Sequence, residues 1–195
     1  MNFLGHVFLS GTASKVMVGN FLGDFVRKSQ IEHWGHELQT GFKLHHEIDR
    51  FTDSHELVRQ SKQRLVPKYR HYASVIVDIY YDHFLSKNWG DYSDIELKSY
   101  TTNTYEFLVT HDEVFPEKAL RTLQYMRSTD WLYNYQFMDG IEMALTGMSR
   151  RTKFDSKMEL SIHDLKNDYE LYEQEFKGFM PEIECHIKKY LPTSY

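Results

Sequence analysis

Residues 41–53 read Gly-Phe-Lys-Leu-His-His-Glu-Ile-Asp-Arg-Phe-Thr-Asp and contain two imidazoles and three carboxylates. Three of these groups, His45, Asp49 and Asp53, follow one another at intervals of four residues. On an α-helix this spacing places them along one stripe that drifts slowly around the axis. A second, apolar stripe would lie beside it, formed by Leu44, Ile48 and Phe51. The pattern predicts a long helix whose polar stripe lies at the rim of a core, where an imidazole and a carboxylate can bind a metal or transfer protons.

The composition is that of a soluble, helical protein. Hydrophobic residues make up 41% and charged residues 26% of the 195 residues, as in ordinary globular proteins. Only four prolines are present, which permits long helices, and no segment alternates between apolar and polar residues for long enough to predict a strand. We therefore expect residues 1–195 to form a single domain, an all-α bundle of seven or eight helices.

The spacing of apolar residues also predicts individual helices. One is expected over about residues 32–51, and the last helix over about residues 156–190 as one long segment. A third is expected over about residues 16–28, although Gly19 and Gly23 weaken it. Because glycines four residues apart leave part of a helix face without side chains, they also permit another backbone to approach closely.

Charge and cysteine content narrow the class of partner. The net charge of −5 argues against a general nucleic-acid binder, which needs a basic field. The single cysteine, Cys185, cannot form an internal disulfide, as is usual in a reducing compartment. The first residues lack the pattern of a signal peptide, and the longest apolar runs are too short to span a bilayer. We expect a cytoplasmic protein without a nucleic-acid or membrane partner, and its oligomeric state is left open.

A second helix repeats the combination of carboxylates and an imidazole. Asp78 and Asp82 are four residues apart, and His83 lies about 100° further round the helix. For either helix alone, ordinary charge pairing is the better interpretation. Asp24 and His6 lie on two further apolar helices, however, and a buried carboxylate is costly unless it is paired or coordinated. The repetition therefore favours a common site.

The residue types at this site favour one kind of metal and one kind of chemistry. Aspartate and histidine ligands without thiolates suit Mn²⁺, Mg²⁺ or Fe better than a structural zinc. Such an ion can hold a phosphoryl oxygen and generate a hydroxide nucleophile near neutral pH. Hydrolysis of a phosphoester is the reaction that the pattern favours.

Several segments together match one known family. They are residues 1–6 (Met-Asn-Phe-Leu-Gly-His), 19–27 (Gly-Asn-Phe-Leu-Gly-Asp-Phe-Val-Arg), 41–53, 78–85, 131–132 (Trp-Leu), 138–139 (Met-Asp) and 147–151 (Gly-Met-Ser-Arg-Arg). Through them the chain resembles the acyl carrier protein phosphodiesterases over nearly its whole length. The resemblance implies removal of 4′-phosphopantetheine from a serine of holo-acyl carrier protein, which yields the apo-protein and free phosphopantetheine. It also implies dependence on Mn²⁺ and an all-helical fold like that of the HD phosphohydrolases.

The resemblance assigns expected roles to individual residues. The expected metal ligands are Asp24, His45, Asp49 and Asp78. His6, Asp82 and His83 are expected to act in catalysis, as proton donors to the leaving serine oxygen or as additional ligands. Asn20 is expected to orient the phosphate, although an ordinary role for its side chain at a helix bend is at least as well supported.

Basic residues are expected to recognise the substrate, because a carrier protein is strongly acidic. Arg27 and Arg50 lie next to expected metal ligands and are assigned to the phosphate. Arg150 and Arg151 follow a Gly-Met turn and are assigned to the carrier protein. A second basic cluster around Pro67 is interpreted as solvated surface charge: Lys62, Arg64, Lys68 and Arg70.

Two alternatives remain open at this stage. One is an HD-like phosphohydrolase that acts on a nucleotide or another small phosphodiester. The other is a helical binding protein without enzymatic activity, in which the His and Asp stripes are paired structural charges.

Overall fold

The computed structural model describes residues 1–191, and these residues form helices without a β-strand. The α-helices are α1 Phe3–Phe8, α2 Lys15–Phe21, α3 His36–Ser54, α4 Glu56–Tyr69, α5 Ala73–Lys87, α6 Leu97–Val109, α7 Glu117–Ser128, α8 Trp131–Asn134, α9 Met138–Ser149, α10 Ser161–Asn167 and α11 Tyr169–Ile187. Seven of these described helices contain twelve or more residues. The all-α class and the expected number of long helices are confirmed. None of the helices within residues 1–191 is both long enough and apolar enough to cross a membrane.

Two helix boundaries differ from the prediction. The helix expected over residues 16–28 ends at Phe21 and tightens into a 3₁₀ turn, Leu22–Asp24. The long last helix is interrupted at Asp168, where ψ is 29°. The break falls at Asn167 and Asp168, two residue types with low helix propensity.

α5 is the central helix of the bundle. Its residues Tyr80, Tyr81 and Phe84 are fully buried. A helix that is apolar on nearly all sides is buried on nearly all sides. The ring centroids of Tyr81 and of Phe176 on α11 lie 5.6 Å apart. The carboxylate of Asp82, on the same helix, reaches the first residues of α1. α5 therefore positions α1 against the rest of the core.

α2 and α3 pack with their backbones unusually close. A β-carbon on Gly19 would lie 2.1 Å from the carbonyl oxygen of Leu38, and one on Gly41 would lie 2.0 Å from that of Val16. Both distances are far below van der Waals contact, so only glycine fits at these two positions. This close approach brings the end of α2 and the neighbouring α1 against the polar stripe of α3.

Candidate metal centre

Side chains from α1 and α3 converge at one point. The carboxylate of Asp49 lies 3.1 Å from Nε2 of His6 and 3.2 Å from Nε2 of His45. One ligand atom from each of these three residues lies within 4.8 Å of the other two. The rings of His6 and His45 stack with their centroids 4.2 Å apart, and Oδ1 of Asp24 lies 3.3 Å from Nε2 of His45. Two imidazole nitrogens and the Asp49 carboxylate are thus close enough together to share one cation, and Asp24 lies at the edge of this group.

Asn20 fixes the orientation of the His6 ring. Its amide nitrogen donates to the carbonyl oxygen of His6 and to the hydroxyl of Ser10, both at 2.8 Å. Its amide oxygen must therefore face Nδ1 of His6, at 2.9 Å, and accept a hydrogen bond from it. The hydrogen-bond network in this way assigns the proton of a neutral His6 to Nδ1 and leaves a lone pair on Nε2.

This arrangement fits a metal ion. The Nε2 lone pair of neutral His6 points at the carboxylate of Asp49, and two electron-rich atoms at 3.1 Å repel each other unless a proton or a cation lies between them. An imidazole whose other nitrogen donates to an amide oxygen is the usual form of a metal ligand. The donors are nitrogen and oxygen without sulfur, which suits Mn²⁺ or Fe and allows Mg²⁺.

Burial and hydrogen bonds shift the pKa values of the side chains at this site. Burial lowers the pKa of His45, but its hydrogen bonds with Asp24 and Asp49 outweigh burial and raise that pKa to about 9. Burial likewise raises the pKa of Asp49, yet His45 and His6 hold it well below its usual range. The pKa of His6 is lowered, chiefly by burial. A proton on His45 therefore balances the carboxylates, and a metal ion in the same place would take over that role and release the proton.

Gly23 makes room for the His45 ring. A β-carbon at this position would lie 2.1 Å from Cγ of His45 and 2.5 Å from its Nδ1. Nδ1 of His45 is buried and has no hydrogen-bond partner among the described residues. The ring is thus held by packing on one side and by Asp24 and Asp49 on the other.

One side of the group opens into a cavity of about 350 Å³. Asp49 and Asp24 face it with 41% and 66% of their side chains exposed, whereas His6 and His45 are buried. The remaining lining comes from the chain start, the end of α3, the start of α5 and the end of α9: Met1, Asn2, Thr52, Asp53, Ser74, Val75, Asp78 and Met148. A ligand in this cavity would reach the carboxylates directly.

The structure places three of the four expected metal ligands in one group. Asp24, His45 and Asp49 come together as predicted. Asp78 lines the same cavity, but its Oδ1 accepts a hydrogen bond from the amino group of Met1 at 2.8 Å. His6, which was expected to act in catalysis, takes the place of Asp78 in the group. Its contact with Asp49 joins two separate helices, and for this reason no spacing in the sequence indicated it.

Asp82 and His83 lie away from the cavity, contrary to the expected catalytic roles. Asp82 is fully buried and accepts the backbone N–H groups of Asn2, Leu4 and Gly5 at 2.7–3.1 Å, so it caps the start of α1. Burial raises the pKa of Asp82 to about 7. His83 is held by the carbonyl oxygen of Tyr135 and the hydroxyl of Tyr169. Neither side chain lines the cavity beside His6, His45 and Asp49.

The residues expected to bind substrate also lie outside the cavity. Asn20 is buried and orients His6 instead of a phosphate. Arg50 is 74% exposed and pairs with Glu47, and Arg27 is exposed and does not line the cavity. Arg150 and Arg151 are exposed at the end of α9, two and three residues beyond Met148. Neither lines the cavity, and the Arg151 guanidinium lies 5.7 Å from the centroid of the Trp131 ring, at a different cavity.

The chain is thus an all-α protein in which two histidines and two carboxylates lie together beside an open cavity. The family model for acyl carrier protein phosphodiesterase matches residues 1–183. Acyl carrier protein phosphodiesterases from Escherichia coli O6:H1 and Escherichia coli O45:K1 are each 34% identical over 185 residues, which cover 94% of this chain and 95% of theirs. The chain belongs to the acyl carrier protein phosphodiesterase family, and the resemblance drawn from its motifs is confirmed. No solved structure matches it, and the likeness to the HD phosphohydrolases stays a prediction.

Proposed function

We propose that this protein is a cytoplasmic, metal-dependent phosphodiesterase that removes 4′-phosphopantetheine from the serine of holo-acyl carrier protein. Membership of the family supports the substrate. The observation that carries the chemistry is the convergence of His6, His45 and Asp49 beside an open cavity. The donor set supports Mn²⁺ as the ion, with Mg²⁺ or Fe as substitutes.

The reaction exchanges two bonds at phosphorus. The oxygen of water forms a bond to phosphorus while the bond to the serine oxygen breaks, and that oxygen takes up a proton. The carrier protein regains its serine hydroxyl, and phosphopantetheine leaves as a phosphate monoester. A bound metal would supply polarisation of the phosphoryl oxygen and activation of the water.

The side chains of the site would position the ion and the attacking water. His6, His45 and Asp49 would hold the ion, while Asn20 keeps the His6 nitrogen aimed at it. Asp24 is the most exposed carboxylate of the group, and its hydrogen bond with His45 helps to keep its pKa below the usual range despite burial. An ionised carboxylate that faces the cavity can orient the attacking water by accepting a hydrogen bond from it.

The test is intact-protein mass spectrometry of holo-acyl carrier protein incubated with the enzyme and Mn²⁺. We expect the mass of the carrier protein to fall by that of phosphopantetheine, and Asp49→Asn to reduce the rate by at least about 100-fold while the helical fold is retained. Asp112→Asn is the matched control, because Asp112 is exposed and remote from the cavity. It should act like the wild type.

Other outcomes of this test favour the two alternatives. Hydrolysis of nucleotide phosphodiesters together with indifference to the carrier protein would favour a small-molecule phosphohydrolase. No bound metal after purification and no increase in melting temperature with Mn²⁺ would favour a binding protein, since a ligand at 100 times its Kd stabilises a fold by about 2.7 kcal/mol.

A further inference from the structure

A second cavity of about 490 Å³ is lined by two segments that lie close in the chain to residues of the metal cavity. Its lining comprises residues 68–72 and 154–157. Residue 73 alone separates the first of these segments from Ser74, which lines the metal cavity, and the second follows Met148, which lines it as well. A molecule bound in the second cavity would therefore be close to the metal centre.

The second cavity is basic in a protein of net charge −5. Lys68, Arg70, His71 and Lys157 line it, together with a single carboxylate, that of Asp155. Lys68 forms an ion pair with Asp164. Within residues 1–191, Arg70 and Lys157 form no ion pair, so their charges are free for a partner. Lys153 adds positive charge beside the cavity, because its Nζ lies 5.8 Å from the centroid of the Phe154 ring.

Two of these cations are held in uncommon backbone conformations. Arg70 has φ 52° and Lys157 has φ 54°, and they are two of the three described non-glycine residues with positive φ. Side chains with a β-carbon rarely adopt such angles, and residues held in them cluster at binding sites. Phe154, on the same cavity, is 69% exposed and offers an apolar surface among the charges.

We propose that this basic cavity, with Phe154, is the surface on which the acidic acyl carrier protein docks. This inference rests on the proposed function, which makes an acidic protein the substrate. Complementary charge orients such a partner and speeds its association, and an exposed aromatic ring among cations is a usual anchor of an interface. Docking here places the serine-linked arm of the carrier protein at the mouth of the metal cavity. The basic cluster around Pro67 is then partly a recognition surface and not only solvated charge.

The binding of apo-acyl carrier protein tests the surface separately from the chemistry, because the apo-protein lacks the phosphodiester. We expect the double variant Arg70→Glu and Lys157→Glu to bind it at least tenfold more weakly by isothermal titration calorimetry without metal. Lys15→Glu with Arg127→Glu is the matched control, since it makes the same charge change at exposed residues outside both cavities. The control should bind within twofold of the wild type, and added salt should reduce the difference between the two variants.

Two further variants separate recognition from folding. Lys157→Gly removes the charge and relieves the positive φ, so it should fold at least as stably as the wild type and still bind apo-carrier protein more weakly. Phe154→Ala removes an exposed ring and should weaken binding severalfold without changing the melting temperature.

The outcomes distinguish this inference from the proposed function. Wild-type affinity in the double variant, equal losses in the control, or no binding of apo-carrier protein by the wild type would overturn the docking surface. A wild-type enzyme that binds apo-carrier protein through these residues but releases no phosphopantetheine from the holo-form would overturn the proposed function alone.

Discussion

Asn20→Ala is the sharpest test of how the metal centre is organised, because Asn20 touches a ligand but not the ion. The substitution removes the acceptor of the His6 Nδ1 proton and the donor to the His6 carbonyl oxygen. The carbonyl keeps a second hydrogen bond, from Ser10 at 2.9 Å, so Nδ1–H is the main group left without a partner. In the variant the His6 proton can move to Nε2 and bond to Asp49. The lone pair needed for a metal is then lost.

The expected losses of stability and of metal affinity follow from these contacts. Leaving one buried donor unpaired costs about 1–3 kcal/mol of stability, and loss of a hydrogen bond that orients a ligand lowers metal affinity about 10–100-fold. The affinity change corresponds to about 1.4–2.7 kcal/mol. The two effects are of similar size, so the loss of metal affinity has to be measured separately from the loss of stability.

The assay is Mn²⁺ affinity by isothermal titration calorimetry, with thermal unfolding in parallel. Asn134→Ala is the control, because it removes a hydrogen bond to the carbonyl oxygen of Thr129, and neither residue lines the metal cavity. It should lower stability without changing Mn²⁺ affinity. Asn20→Asp keeps an acceptor for Nδ1–H and should retain more affinity than Asn20→Ala. An Asn20→Ala protein that binds Mn²⁺ within threefold of the wild type would refute this account of His6.

Two further predictions concern residues that position the group from outside. Gly23→Ala would place a β-carbon 2.1 Å from the His45 ring, so we expect Mn²⁺ affinity to fall at least about tenfold, whereas Gly90→Ala, with open space around it, should leave it unchanged. Unchanged Mn²⁺ affinity in Gly23→Ala would show that the His45 ring does not depend on the space beside Gly23. Asp82→Ala removes the acceptor of three backbone N–H groups and should lower the free energy of unfolding in urea by about 3 kcal/mol. Asp78→Ala should cost less, because Asp78 is partly exposed and makes one such contact; equal losses would argue against the capping role of Asp82.

The pattern along single helices was read correctly from the sequence. His45 and Asp49 lie on α3 as their spacing indicates, and they share the predicted site. Asp82 and His83 do not line the cavity, and this has a physical cause: their spacing is right for a helix, but α5 is buried on nearly all sides. A polar residue on such a helix must pair inside the protein, and Asp82 pairs with the backbone of α1.

We could predict from the sequence alone the all-α class, the polar stripe of α3 and the family of the protein, because these depend on residues that are near one another in the chain or on matched motifs. The packing of the helices established instead that His6 lies beside His45 and Asp49, that Asn20 orients His6, and that residues 68–72 and 154–157 form one basic cavity. These pairings arise where helices pack on a common core. Packing brings together residues that are far apart in the chain, and periodicity within one helix does not specify which of them meet.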